Sequence, residues 1–404
     1  MTPPHAAFAD ELNQRLETLR QQGLYRQLRP IASPQSPRLE VEGDVLLNFS
    51  SNDYLGLANH PVLRAAAIEA VERYGAGSGA SRLVCGSLAP HQELEERLAA
   101  FKGAPAALVF SSGYTAALGA LGALLGKDDV VIIDRLAHAC LVDAARLCGA
   151  KLRVFGHNDA NDLERILKWT QTTKAGSSSH PRVLIVTESV FSMDGDQAPL
   201  REIADLKDKY GAWLMVDEAH ATGLYGAHRR GLAEALGVSN LIEVHMGTLG
   251  KTLGASGGYI CGSRPLIDVL INRARTFIFS TAPVPAASAA ATAGVRLVQS
   301  PEGEGRLNSL WQRVREVTSI LKSPGAQLPS AIIPLRIGDE TRALEAAAAL
   351  RGEGIYLPAI RYPAVARGQA RLRLTLTAAH TAADTERLAR ALRKVRVGIE
   401  PVPS

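Results

Sequence analysis

Short apolar runs alternate with helical stretches along most of the chain. Runs at residues 106–110, 130–134, 152–155, 183–187, 213–217, 242–246 and 258–261 each have the length of a strand. Most are near-continuous in apolar character rather than alternating, as strands are when helices cover both faces of their sheet. Helical stretches lie between most of them. The pattern predicts a mostly parallel, seven-stranded sheet in a doubly wound α/β domain. Ahead of it, Phe8, Leu12, Leu16 and Leu19 recur at helical spacing and predict an amphipathic helix over 7–22. Pro30, Ser33, Pro34, Ser36 and Pro37 then mark an arm or linker. Beyond the sheet, an Ala-rich stretch at 283–297 predicts a long helix. A strand at 332–337, a helix at 345–351, strands at 355–361 and 371–377 and a helix at 385–395 predict a second, smaller α/β domain. The chain is therefore expected to divide into an N-terminal helix and arm (1–50), a large domain (51–290) and a small C-terminal domain (291–404).

Composition narrows the class without naming it. Of the 404 residues, 46% are hydrophobic and 21% charged, which is ordinary for a soluble globular protein. The net charge of +5 comes without a long basic run or an aromatic-studded patch, so no nucleic-acid partner is expected. The balance suits an anionic substrate or partner such as a phosphate, coenzyme A or an acidic carrier protein. Cys85, Cys140, Cys148 and Cys261 form no CxxC pair and no cluster with histidine. They read as reduced core thiols of a cytosolic protein, neither metal ligands nor disulfides. Residues 1–20 lack the apolar core of a signal peptide, and the weakly polar stretch at 104–126 reads as strand, turn and helix rather than a membrane span.

In open α/β sheets, ligands sit at the carboxyl ends of the parallel strands. The first run ends in Ser111-Ser112-Gly113-Tyr114 before a helical stretch. A small-residue turn opening a helix presents free N–H groups and seats a phosphate, although it is also how an ordinary capped helix begins. The run at 213–217 ends in Asp217-Glu218-Ala219-His220. An acid at the end of a buried strand is costly unless a cation or helix N–H groups meet it. The run at 242–246 ends in GTLGKTLG, which places Lys251 among glycines. Such a lysine is a candidate for attack on a carbonyl, or else a solvated surface turn.

The same elements admit a nucleotide-hydrolase reading, since Asp217–His220 spells DEAH and Gly250-Lys251-Thr252 resembles the tail of a P-loop. A P-loop needs glycine five positions before Gly250, where His245 stands, and the order of the two motifs is reversed. Pyridoxal phosphate explains them better. That cofactor needs a lysine amine for its aldehyde, an acid for its pyridine nitrogen and a seat for its phosphate.

Four longer segments carry a resemblance: SSNDYLGL at 50–57, TESVFSMDGD at 187–196, VDEAHATG at 216–223 and GTLGK at 247–251. They resemble the α-oxoamine synthases, a fold-type-I pyridoxal-phosphate group, and the likeness runs from Arg26 to His380. AIRYP at 359–363 and ARLRLTLTAAH at 370–380 are most like the biotin-pathway branch, whereas GTLGKTLGASGGY at 247–259 is also close to the glycine-using branch.

The resemblance implies roles by position. Lys251 matches the lysine that bonds the cofactor, Asp217 the acid at its ring nitrogen, and His138 the histidine stacked on the ring. His220 matches the ligand of the phenolic oxygen, with Ser192 in the same polar surround. Gly113, Tyr114 and Thr248 match phosphate ligands, while Ser280 and Thr281 match a segment that reaches the phosphate of a partner subunit, implying a shared-site homodimer. Arg361 matches the arginine that holds the amino-acid carboxylate, with Asn52 and His138 beside the substrate and Arg26 as an acyl contact. Ala364 stands at a substrate position where the biotin branch commonly has threonine. Serine and asparagine also serve as plain caps and turns. Gly75, Gly77 and Gly79 read as a helix stop with a turn, or as a loop near the site.

The implied reaction is decarboxylative condensation of L-alanine with a pimeloyl thioester of CoA or an acyl carrier protein. The alternatives are a relative using glycine and a shorter acyl-CoA, and a non-catalytic partner subunit, against which Lys251 argues.

Overall fold

The computed structural model describes residues 4–174, 181–321 and 329–395. Residues 1–3 and 396–404, at the outer ends of the first and last expected divisions, lie outside the described residues. The chain forms two compact units, one of Met1–Ser51 with Trp311–Ser404 and one of Asn52–Leu310.

The second unit holds the sheet read from the sequence. Its strands are β1 (Ala106–Phe110), β2 (Val130–Asp134), β3 (Lys151–Phe155), β4 (Val183–Glu188), β5 (Trp213–Asp217), β6 (Val244–Thr248) and β7 (Gly258–Gly262). They lie in the order β1-β7-β6-β5-β4-β2-β3. β7 runs antiparallel to both neighbours, and the other pairings are parallel. β1, β2 and β4 are buried at every position, whereas edge strand β3 is mostly exposed. That is why their sequences are unbroken apolar runs. One face packs Leu108, Phe110, Ile133, Val186, Met215, Met246 and Ile260 against Leu121, Leu141, Leu270 and Phe277 of the covering helices. β6 begins two residues later than its apolar run, because a 3₁₀ turn at Ser239–Leu241 takes Ile242 as its cap.

Two helices leave the carboxyl ends of strands with caps written into the sequence. Helix α1 (Gly113–Leu124) follows β1, with Ser112 as N-cap. The Ser112 hydroxyl accepts the Thr115 N–H at 3.1 Å, and the Thr115 hydroxyl accepts the Ser112 N–H at 3.0 Å. Helix α2 (Ala139–Leu147) follows β2, with the His138 ring as its cap. The helix Pro61–Tyr74 stops at Gly75, whose φ of 80° suits glycine, as the first of the two readings of that loop expected.

The first unit holds two three-stranded sheets, Arg38–Val41/Asp44–Asn48/Ile355–Tyr356 and Ile332–Gly338/Ala370–Thr375/Ala359–Ile360. The single strand expected at 355–361 is in fact two short strands, one in each sheet. Pro358 between them has no N–H to give a ladder. The hairpin at 38–48 falls within the stretch expected to be an arm. Its signals are the alternation of buried Leu39 and Val41 with exposed Arg38 and Glu40, and the Glu42-Gly43 turn at positive φ. The helix Pro4–Gln21 covers the expected 7–22 up to its last residue, with Phe8, Leu12, Leu16 and Leu19 exposed. Of the four cysteines expected in the core, Cys140 and Cys261 are buried, whereas Cys148 is half-buried and Cys85 exposed. No described helix is long and apolar enough to cross a membrane.

Gly258 pairs with Phe110 on one side and Thr248 on the other. A Cβ there would meet the Ser112 carbonyl oxygen at 2.4 Å and the Gly113 nitrogen at 2.5 Å. Backbone on both sides leaves no room to relax. Gly258→Ala is expected to destabilise the protein by about 1–3 kcal/mol, read as a lower urea midpoint at unchanged slope.

Candidate active site

Because β1, β2, β4, β5 and β6 point one way, their carboxyl ends share one edge of the sheet. That edge brings together the Ser111–Tyr114 turn, His138, Ser192, Asp217 to His220, Thr248 and Lys251.

Asp217 ends β5 only 4% exposed, with its carboxylate accepting the Ala219 N–H at 2.8 Å. Burial raises its pKa, while Lys251, the Ala219 N–H and His138 oppose the rise. Lys251 lies in the turn after β6 and acts electrostatically on Asp217, His138 and Glu188 together. The turn is held by the Leu249 N–H on the Gly257 carbonyl at 2.9 Å and the Gly254 N–H on the Lys251 carbonyl at 3.0 Å. Gly254 has a φ of 68°, and a Cβ on it would lie 2.6 Å from that of Leu57.

His138 stands at the head of α2, its Nδ1 accepting the Cys140 N–H at 3.2 Å. Desolvation lowers its pKa, and Asp217 pulls the other way. His220 is buried and its Nδ1 lies 2.5 Å from the Tyr54 hydroxyl. That hydroxyl also reaches the Asn52 side-chain oxygen at 3.3 Å, so Asn52, Tyr54 and His220 form one chain.

At the start of α1, a Cβ on Gly113 would strike the Thr248 methyl at 2.5 Å. The Thr248 hydroxyl is buried there with no hydrogen-bond partner. Tyr114 stays exposed, and its hydroxyl donates to Asp143. Ser192 is buried in the loop after β4. Ser280 and Thr281 lie in a partly exposed segment, where Thr281 bridges to Ser81.

The remaining candidates belong to the first unit. Arg361 is 8% exposed and donates to the carbonyls of Gly23 and Tyr25, while its Nε has no partner. Arg26 donates to the Tyr362 carbonyl at 2.5 Å. Burial first, and then the Arg26 charge, push the Arg361 pKa down. Both arginines line a groove of about 590 Å³ with Tyr25, Leu344 and Tyr356. Ala364 is exposed in the turn after Arg361, with its N–H on the Arg361 carbonyl at 3.0 Å.

Sequence reasoning missed three groups here. Tyr54 lay inside a quoted motif without a role. Glu188, ending β4, is 1% exposed, and its carboxyl meets the N–H groups of His138 and Ser192. Desolvation first, then the neighbouring Asp217 charge, raise its pKa well above the carboxylate range, and its Oε1 has no partner. The polar end of a buried strand was the available signal, as it was for Asp217. The third group is Lys102, buried with its ammonium 2.5 Å from the Glu218 carboxylate. The Lys102 charge holds the Glu218 pKa down to about 2 against desolvation. Nothing in the local sequence of Lys102 distinguishes it from a surface lysine ending a helix.

The chain matches the family described as aminotransferase class I and II over residues 44–392. The chain belongs to that family. Its fold is that of fold-type-I pyridoxal-phosphate enzymes, and pyridoxal phosphate is its cofactor. An 8-amino-7-oxononanoate synthase of Anaeromyxobacter sp. (strain K) is 49% identical over 393 residues, 97% of each chain. One from Geobacter sulfurreducens is 48% identical over 94% of this chain and 96% of its own. Among solved structures, a serine palmitoyltransferase of Sphingomonas wittichii matches with a TM-score of 0.88 and 29% identity, covering 99% of this chain and 100% of that one. An 8-amino-7-oxononanoate synthase from Francisella tularensis matches with a TM-score of 0.71 and 26% identity, covering 87% and 96%.

The residues at the sheet edge fit the cofactor. A buried acid, a lysine within its field and an unsatisfied threonine hydroxyl at a helix start are the donor set that a pyridinium, an aldehyde and a phosphate need.

The Lys102–Glu218 pair permits a test free of cofactor chemistry. Lys102→Met leaves a buried carboxylate unpaired and is expected to cost about 3–5 kcal/mol of unfolding free energy. Adding Glu218→Leu should recover much of that loss in the same denaturant assay.

Proposed function

We propose that the protein condenses L-alanine with a pimeloyl thioester to 8-amino-7-oxononanoate, CO2 and free thiol, as a cytoplasmic homodimer. The observation that carries the reading is the grouping of Asp217, Lys251, His138, His220 and Thr248 at one sheet edge, in a chain nearly half identical to synthases of that name.

Bound at this edge, pyridoxal phosphate supplies an aldehyde carbon for amines and a cationic ring that accepts an electron pair. Lys251 would hold the cofactor's aldehyde, and its amine would serve as general base for the Cα proton of alanine. A carboxylate at Asp217 would keep the ring nitrogen protonated. His138, whose pKa desolvation lowers, would stack on the ring. His220, oriented by Tyr54, would hold the phenolic oxygen, with Ser192 beside it. The N–H groups of Gly113 and Tyr114, with the Thr248 hydroxyl, would hold the phosphate. Ser280 and Thr281 would reach the partner subunit's phosphate. Arg361 takes the substrate carboxylate in a bidentate pair, assisted by Asn52. Arg26 and the position of Ala364 face the acyl group. In the reaction the alanine Cα bonds to the thioester carbonyl carbon, and the C–S bond breaks with a proton to the thiolate. The bond from Cα to the original carboxylate then breaks as CO2 leaves, and Cα regains a proton.

Borohydride treatment of the holoenzyme is expected to fix the label on the peptide containing Lys251, and Lys251→Ala to abolish both label and turnover. Mass spectrometry should find 8-amino-7-oxononanoate from alanine and a pimeloyl thioester, run with CoA and with carrier protein. Faster turnover of glycine with a shorter acyl-CoA would move the assignment to that branch.

A further inference from the structure

Three connections at the carboxyl edge of the sheet are joined by one side chain the proposed chemistry does not use. His157 follows β3. Its Nδ1 lies 2.9 Å from the Asp134 carboxylate at the end of β2, and its Nε2 lies 2.6 Å from Asp196 in the connection after β4. Asp134 is fully buried and also accepts the N–H groups of Leu136 at 2.7 Å and Asn158 at 3.0 Å. Asn158 donates from its side chain to Asp196 at 3.1 Å and to the Gln197 carbonyl at 3.1 Å. Phe191 meets the imidazole edge-on, ring centres 4.4 Å apart. A carboxylate only accepts, so two carboxylates satisfy both ring nitrogens only if each carries a proton.

We propose that His157 is a positioning residue, a standing imidazolium that ties the connection carrying His138 to the one carrying Ser192. The two connections it joins begin at Asp134, four residues before His138, and contain Asp196, four residues after Ser192. Glu188 meets the N–H groups of those same two residues from below. The clamp therefore fixes two walls of the cofactor site, and in that sense it rests on the function proposed above. The charged groups facing the ring are Asp134 from β2 and Asp196 from the connection after β4. Asp162 of the following helix accepts the Gly156 N–H at 2.8 Å and pairs with Arg165.

The test uses the full holoenzyme with 13C-labelled histidine. The resonance lost in His157→Gln identifies the ring. Its pKa is expected near 10 rather than 6.5, raised mainly by its two carboxylate hydrogen bonds against burial. The sign follows from that rise. The melting advantage of wild type over His157→Gln should be full below about pH 6.5 and vanish as the pH passes about 10. Pyridoxal phosphate should leave His157→Gln roughly tenfold faster, since misplacing site walls by fractions of an ångström has effects of that order. Should that variant fail to fold, Asp196→Asn takes its place, with the expected result that the His157 resonance titrates at lower pH. A ring that titrates near 6.5 in wild type, or cofactor release unchanged in the variant, overturns the proposal. A preparation that takes no borohydride label at Lys251 overturns the cofactor reading instead, and the resonance and melting arms still decide the clamp.

Discussion

Asp217 stands at the end of a central strand with almost no exposure, and a charge there must be compensated. The other groups at the sheet edge are arranged around that requirement. Glu188 ends the adjacent strand in register with Asp217. Two carboxyl groups in one desolvated place cannot both ionise at low cost. Desolvation first, and then the Asp217 charge, raise the pKa of Glu188. Asp217 has the Ala219 N–H and the fields of Lys251 and His138 on its side, so it is the acid free to face a cation. Two acids of like type thus meet different surroundings, Glu188 beside the N–H groups of His138 and Ser192 and Asp217 within the field of Lys251.

The acid next in sequence shows the same economy in the other direction. Glu218 points away from the site and meets Lys102 at 2.5 Å and the Ala233 N–H at 3.0 Å. Lys102 is itself held by the Arg230 carbonyl. With the carboxylate pinned there, the chain after β5 has a fixed departure, and His220 arrives where Tyr54 can bond its ring. Adjacent Asp217 and Glu218 therefore divide chemistry from support, and the DEAH string that resembles a helicase motif is a by-product of that division.

Much of this was legible from residues alone. Buried parallel strands announce themselves as unbroken apolar runs, so all seven strands of the large sheet were found at or within two residues of their places. Lys251 and Asp217 stood out because each ends such a run with a polar group that has no local reason to be there. What escaped depends on pairing at a distance. Lys102 and Glu218 are more than a hundred residues apart, and their attraction leaves no periodic trace. The hairpin at 38–48 was hidden because its strands are short and one face is solvated, so its alternation is brief. The strand expected at 355–361 failed for a local reason that was readable, since Pro358 cannot continue a ladder.

Unsatisfied polar atoms give a last view of how folding and function divide the same residues. The Thr248 hydroxyl and Glu188 Oε1 are buried without partners, and each such group costs free energy in the isolated fold. Gly113 and Gly258 allow the helix start and strand β7 to close in on Thr248 so tightly that no side chain fits between them. A chain selected for stability alone would fill or pair these positions. Leaving the Thr248 hydroxyl open beside the head of a helix, where N–H groups also point outward, makes sense if an anion completes the set. Binding then returns to the fold what the empty polar groups withhold, so the cofactor belongs to the protein's stability as well as to its chemistry.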